Sequence, residues 1–226
     1  IKIDLKINMD LKYFLKTILP KIKIKKSYEK WISHFQNWKE KYPIVEEIYY
    51  KQSKNVNPYV FMLKLSQKTG KNDILIPDAS ANLIWAMQAF YLKGQRVFTA
   101  LNHSPMGYSM PATIGAYMAD KKNKNIICTI GDGSMQMNIQ ELATISHLKI
   151  PAKIFVLNNK GYGLIKQTQD MWLNSRRVGV DSKSDLAMPD LIKISKAYGI
   201  ETVEINNHND LDYKIDHVLN SKKPVV

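Results

Sequence analysis

The chain has 226 residues, 45% of them hydrophobic, which suits one or two domains with a packed core. Its one cysteine, Cys128, excludes an internal disulfide and implies a reducing cytoplasm; no apolar run approaches the roughly 18 residues of a membrane span, and no secretory signal pattern is present. The net charge of +13 raises nucleic acid as a partner, but the clusters Lys21, Lys23, Lys25, Lys26 and Lys121, Lys122, Lys124 lack interleaved aromatics and read as solvated faces. Neither nucleic acid nor membrane is therefore expected.

In chain order, an alternating run (Ile1, Ile3, Leu5) precedes a helical pattern through Leu11, Phe14, Leu15 and Ile18. Tyr28 to Tyr50 is also helical, with Trp31, Phe35, Trp38 and Ile44 as packing residues. Asn57-Pro58 resets the pattern, since a residue before Pro resists helix. Strands are then expected at Ile74 to Pro77, Val97 to Ala100, Ile126 to Ile130, Ile154 to Leu157, Thr202 to Ile205 and Pro224 to Val226. Helices are expected between them at Leu83 to Leu92, Pro111 to Met118, Asn138 to His147 and Leu191 to Ala197. That alternation predicts an α/β fold, a three-layer, doubly wound, mostly parallel sheet, with ligands beyond the carboxyl ends of its strands.

Two of those strand ends carry chemistry. Gly131-Asp132-Gly133-Ser134 follows Ile126 to Ile130, and Asn158-Asn159-Lys160-Gly161 follows Lys153 to Leu157, with Asp132 and Asn159 27 positions apart. Ile139, Leu142, Ala143 and Ser146 recur at helical spacing, so the first unit reads as strand, glycine turn, helix. Such a turn aims backbone N–H groups at an anion, and glycine removes the Cβ that would block it. A carboxylate beside an anion makes sense if a cation bridges them, and Mg²⁺, a hard octahedral ion taking oxygen ligands, fits best. Taken singly, either motif also reads as an ordinary surface or Asx turn.

Together these motifs resemble the thiamine diphosphate/Mg²⁺ signature of the acetolactate synthase and pyruvate decarboxylase superfamily. The resemblance covers essentially the whole chain and implies Asp132, Asn159 and Gly161 as metal ligands. It divides the chain into the end of a central domain (1–24), a helical linker (25–56) and a cofactor-binding domain (57–226) truncated at its C-terminal end. Asp78-Ala79-Ser80-Ala81-Asn82 resembles the segment that contacts the diphosphate from the other side, through Ser80 and Asn82; Ser80 also reads as a helix cap. In Ser104-Pro105-Met106-Gly107-Tyr108, Met106 matches the apolar residue that bends the cofactor, and Ser104 the carbonyl that meets its amino group. His103 adjoins the substrate pocket.

Gly161-Tyr162-Gly163 through Gln169 resembles the signature whose helix lines the active site. There Thr168 stands where acetolactate synthases usually carry Trp, which implies room for a bulkier acceptor. The implied function is the cofactor-binding part of a thiamine-dependent 2-oxo acid decarboxylase or carboligase, with pyruvate as the natural donor. Family members use a Glu from a pyrimidine-binding domain that no segment here resembles. No catalytic acid is therefore assigned within the chain, and a homodimer or tetramer is expected to complete the site. The sequence neither demands nor excludes FAD. Two other readings stay open: a non-catalytic module of the same fold, and a dinucleotide-dependent oxidoreductase, which the absence of Gly-x-Gly-x-x-Gly spacing disfavours.

Overall fold

The computed structural model describes residues 2–23, 27–119 and 125–226, so Lys25, Lys26, Lys121, Lys122 and Lys124 lie outside the described residues. The chain divides into two compact units, 1–43 and 44–226. In the first, α1 (Leu11–Ile18) starts at Asp10, whose carboxylate accepts from the Tyr13 amide at 3.1 Å, and α2 (Glu29–Lys41) follows. Along α2 the rings of Trp31, Phe35 and Trp38 contact one another, yet each is more than half exposed. The alternating run at Ile3 and Leu5 forms no strand. A strand needs a partner edge, and both side chains stand in solvent.

In the second unit, α3 (Glu47–Tyr50) precedes α4 (Pro58–Lys68). Pro58 occupies the first helical turn, where its missing N–H costs nothing, and the Asn57 side chain caps the Tyr59 and Val60 amides. Four parallel strands follow: β1 (Ile74–Pro77), β2 (Arg96–Val97), β3 (Ile126–Gly131) and β4 (Ala152–Leu157), in the spatial order β2-β1-β3-β4. The expected last two strands survive as single bridges. Val225 pairs parallel with Lys153, and Glu201 pairs with Val225, which carries the sheet two places past β4.

Alternate strand residues bury against opposite helical layers, as a sheet covered on both faces requires. Leu75, Ile127, Phe155 and Val225 pack with α4, with α5 (Ser80–Ala89) and with α11 (Leu211–Asn220). Cys128, Ile130 and Ile154 pack with residues of α6 (Ser109–Ala119), α8 (Glu141–His147) and α10 (Leu191–Ala197). The three-layer α/β/α expectation holds. Between β3 and α8 the structure differs in detail from the expected turn. Gly131 is the last extended residue and Asp132 already the first of a short helix, α7 (Asp132–Met137), because an acidic residue is at home in a first helical turn. Element α9 is Gly163–Trp172.

Lys153 is a buried cation in this core, 1% exposed on β4. Its ammonium donates to the carbonyls of Ser221 at 2.6 Å and Lys223 at 3.2 Å, tying the end of α11 to the sheet. Burial, helped by the Lys222 charge and opposed by Glu201, lowers its pKa to about 8. The unfolded chain therefore holds this proton up to higher pH than the folded one does. Stability should rise with pH between about 8 and the ordinary lysine range near 10.4, because there the unfolded state binds more protons. Urea denaturation of wild type and Lys153→Met across that range should show this slope only in wild type; identical pH dependence would refute the assignment.

Candidate functional site

A cleft opens beyond the carboxyl ends of β1, β3 and β4, where an open parallel sheet places its ligands. Its walls are residues 79–82 after β1, 131–134 at the junction of β3 and α7, 157, 159 and 161–165 after β4, with Trp85 and Met106. The floor is Asp132, 2% exposed at the start of α7. Its Oδ1 accepts from the Gly133 amide at 2.7 Å and its Oδ2 from the Gly161 amide at 3.1 Å. Burial pushes the Asp132 carboxyl up, while the backbone amides of Gly133, Gly161, Lys160 and Asn159 pull it down. No cationic side chain is among these influences.

The Asn159 side-chain Oδ1 also accepts from the Gly161 amide, at 3.1 Å. Oxygens from two different strand ends thus converge on one N–H. The backbone reaches this geometry with Lys160 at φ 59°, a left-handed conformation that costs energy in a non-glycine residue. Close approach explains two glycines. A Cβ on Gly133 would lie 2.3 Å from the Tyr162 ring, and one on Gly161 2.2 Å from the Val180 carbonyl oxygen. One carboxylate beside neutral oxygen donors is a set suited to a small hard cation.

The opposite wall starts at Ser80, also left-handed at φ 66°. Asn82, 4% exposed, donates from Nδ2 to the Thr129 carbonyl at 2.6 Å, and its Oδ1 is a buried atom without a protein partner. Asp78 braces the third side. Its two carboxylate oxygens accept from the Gly107 amide at 3.0 Å and the Ser109 amide at 2.9 Å, which fixes the loop presenting Met106.

Of the residues expected from sequence, the cleft brings together Ser80, Asn82, Met106, Gly131, Asp132, Gly133, Ser134, Asn159, Gly161, Tyr162 and Gly163. Ser104 (φ 45°), His103 and Thr168 are not among its walls. His103 is exposed beside Asn102, and Thr168 is exposed on α9 with its hydroxyl donating to the Leu164 carbonyl. Sequence reasoning placed Leu164 and Ile165 only within the segment whose helix lines the site, and it missed Trp85 and Leu157 as walls and the bracing by Asp78 and Val180. Val180 carried no signal in the sequence.

Residues 78–226 match the family described as Thiamine pyrophosphate enzyme, C-terminal TPP binding domain. The chain is 30% identical over 229 residues to an acetolactate synthase large subunit of Cyanidium caldarium, covering 99% of this chain and 38% of that protein. It is 31% identical over 218 residues to the acetolactate synthase large subunit of Lactococcus lactis, covering 95% and 37%. The Escherichia coli acetolactate synthase isozyme 1 large subunit is 32% identical over 156 residues, covering 69% and 27%. The chain spans less than two fifths of the length of these curated relatives.

Proposed function

Since the chain belongs to the thiamine pyrophosphate enzymes through their C-terminal TPP-binding domain, we propose that it holds thiamine diphosphate with Mg²⁺ as part of a 2-oxo acid decarboxylase or carboligase resembling acetolactate synthase. The observation that carries the metal is the convergence of Asp132 Oδ2 and Asn159 Oδ1 on the Gly161 amide. Each of these oxygens keeps a second lone pair, so a cation beside the turn would gain two oxygens at once, and its charge would relieve the desolvation of the buried carboxylate. The Gly161 carbonyl is the third protein ligand in this reading.

The remaining walls take roles by position. Gly133 makes room for the Tyr162 ring, and Ser134 beside it lines the cleft where the diphosphate is placed in this reading. Ser80 and Asn82 face it from the other wall. Met106 supplies the flexible apolar surface that shapes the cofactor, and the Ser104 carbonyl accepts from its amino group. The chemistry supplied by the bound cofactor is an electron sink for loss of CO₂ from a 2-oxo acid, with pyruvate as the donor. The chain's own part is to bind, orient and exclude water. A homodimer or tetramer supplies the catalytic acid, and the buried, free thiol of Cys128 supports a reducing cytoplasmic setting. No helix among the described residues is long and apolar enough to cross a membrane.

The acceptor site lies outward along α9. Thr168 follows Leu164 and Ile165 by four and three residues, so it shares their face one turn farther from the cleft. A threonine there leaves room for a bulkier carbonyl acceptor. Thr168→Trp should shift the product ratio in competition assays toward small 2-oxo acid acceptors by several-fold; an unchanged ratio would remove Thr168 from the pocket. The function itself is tested by CO₂ release from pyruvate in the full-length protein. Release that requires both the cofactor and divalent metal is expected. Tight cofactor binding with no turnover on any 2-oxo acid would instead make the protein a non-catalytic module.

A further inference from the structure

Behind the Gly161 turn, outside the cleft, residues 174–181 run back along α9 and are fastened to it at three points. The Gln169 side chain pairs with Val178 in both directions: its Oε1 accepts from the Val178 amide at 3.0 Å, and its Nε2 donates to the Val178 carbonyl at 3.3 Å. Arg177 grips Asp170 with two parallel hydrogen bonds, Nε to Oδ1 at 2.7 Å and Nη2 to Oδ2 at 2.8 Å. Lys166 pairs with Asp181 at 2.9 Å. Positions 166, 169 and 170 share one helical face, so the segment is held along a single line. Its first residues, Asn174 and Ser175, are both left-handed, at φ 50° and 60°. Such a conformation persists where surrounding contacts over-determine it.

The segment ends on the site. Val180, 1% exposed, accepts from the Tyr162 amide at 2.9 Å, and its carbonyl occupies the space a Gly161 side chain would need. Tyr162 in turn lays its ring over Gly133, and Gly161 donates to Asp132. We propose that residues 174–181 are a strap that fixes the Gly161–Tyr162 turn from outside the cleft and thereby sets cofactor affinity, with Gln169 and the Asp170–Arg177 pair as its positioning residues. The affinity half rests on the function proposed above; the geometric half does not. Gln169 satisfies two backbone groups of the segment at once, and the Asp170–Arg177 pair, about one-third exposed, adds a bidentate contact beside it.

The test uses Gln169→Ala and Arg177→Gln in the full-length protein, with two readouts. Amide hydrogen exchange at Tyr162 without ligands should accelerate in both variants, while protection in β3 and β4 is unchanged. Calorimetric affinity for thiamine diphosphate with Mg²⁺ should fall by about three- to ten-fold, within the roughly two- to thirty-fold span of couplings transmitted through packed neighbours. Unchanged exchange at Tyr162 would overturn the strap, and faster exchange with unchanged affinity would overturn its link to the cofactor. If wild type binds no cofactor at all, the function proposed for the cleft fails, and the exchange readout alone decides whether the strap exists.

Discussion

Asp132→Ala is expected to lower the joint affinity for Mg²⁺ and thiamine diphosphate by at least about 100-fold, since even outer-shell partners of a metal cost 10- to 100-fold when lost. The carboxylate is the one charged group of the proposed ligand set, and it also organises the turn opposite by accepting from the Gly161 amide. In the variant that amide keeps the Asn159 Oδ1 as a partner, so the turn does not lose every contact. Removing a carboxylate whose burial is itself unfavourable should leave the fold largely intact. Quenching of Trp85, which lines the cleft, reads the binding, and circular dichroism checks the fold. Near-wild-type quenching at the same ligand concentrations would remove Asp132 from the ligand set.

The second large effect concerns proton transfer. Among the described residues of the cleft walls there is one carboxyl group, that of Asp132, and it is engaged by backbone amides. Met106 and the Ser104 carbonyl, the groups proposed to shape the cofactor and to accept from its amino group, cannot donate a proton. General acid–base help from a positioned side chain is worth about 10²–10⁴-fold. The 226-residue chain saturated with cofactor and metal should therefore release CO₂ from pyruvate at least about 100-fold more slowly than the full-length protein. Adding in trans a pyrimidine-binding domain of the kind the proposed function calls for should recover the rate, and a Glu within it should be indispensable. Robust turnover by the 226-residue chain alone would place the acid within it.

What was legible in the sequence was local. β3 and β4 announce themselves as short apolar, β-branched-rich runs, and glycine with Asp or Asn at their ends marks the turns, so the floor of the cleft could be read directly. The contacts that position the floor were not legible, because their partners are far away in sequence. Asp78 braces amides 29 and 31 residues on, and nothing near Val180 signals that it sits behind Gly161. Lys153 reads as a strand residue, but its ammonium is satisfied only by carbonyls 68 and 70 positions later. The outermost strands were over-read for a related reason. A run such as Thr202 to Ile205 has strand composition, yet pairing depends on the edge it meets, and here it reduces to the bridge at Glu201.

The most direct measurement is calorimetric titration of thiamine diphosphate into the full-length protein, with Mg²⁺ present and again after EDTA. Shared oxygens from Asp132 and Asn159 predict saturable binding with the metal and at least a tenfold loss of affinity without it. Equal affinity in both conditions, or no binding in either, would contradict a site in which these two residues hold the cation that holds the cofactor.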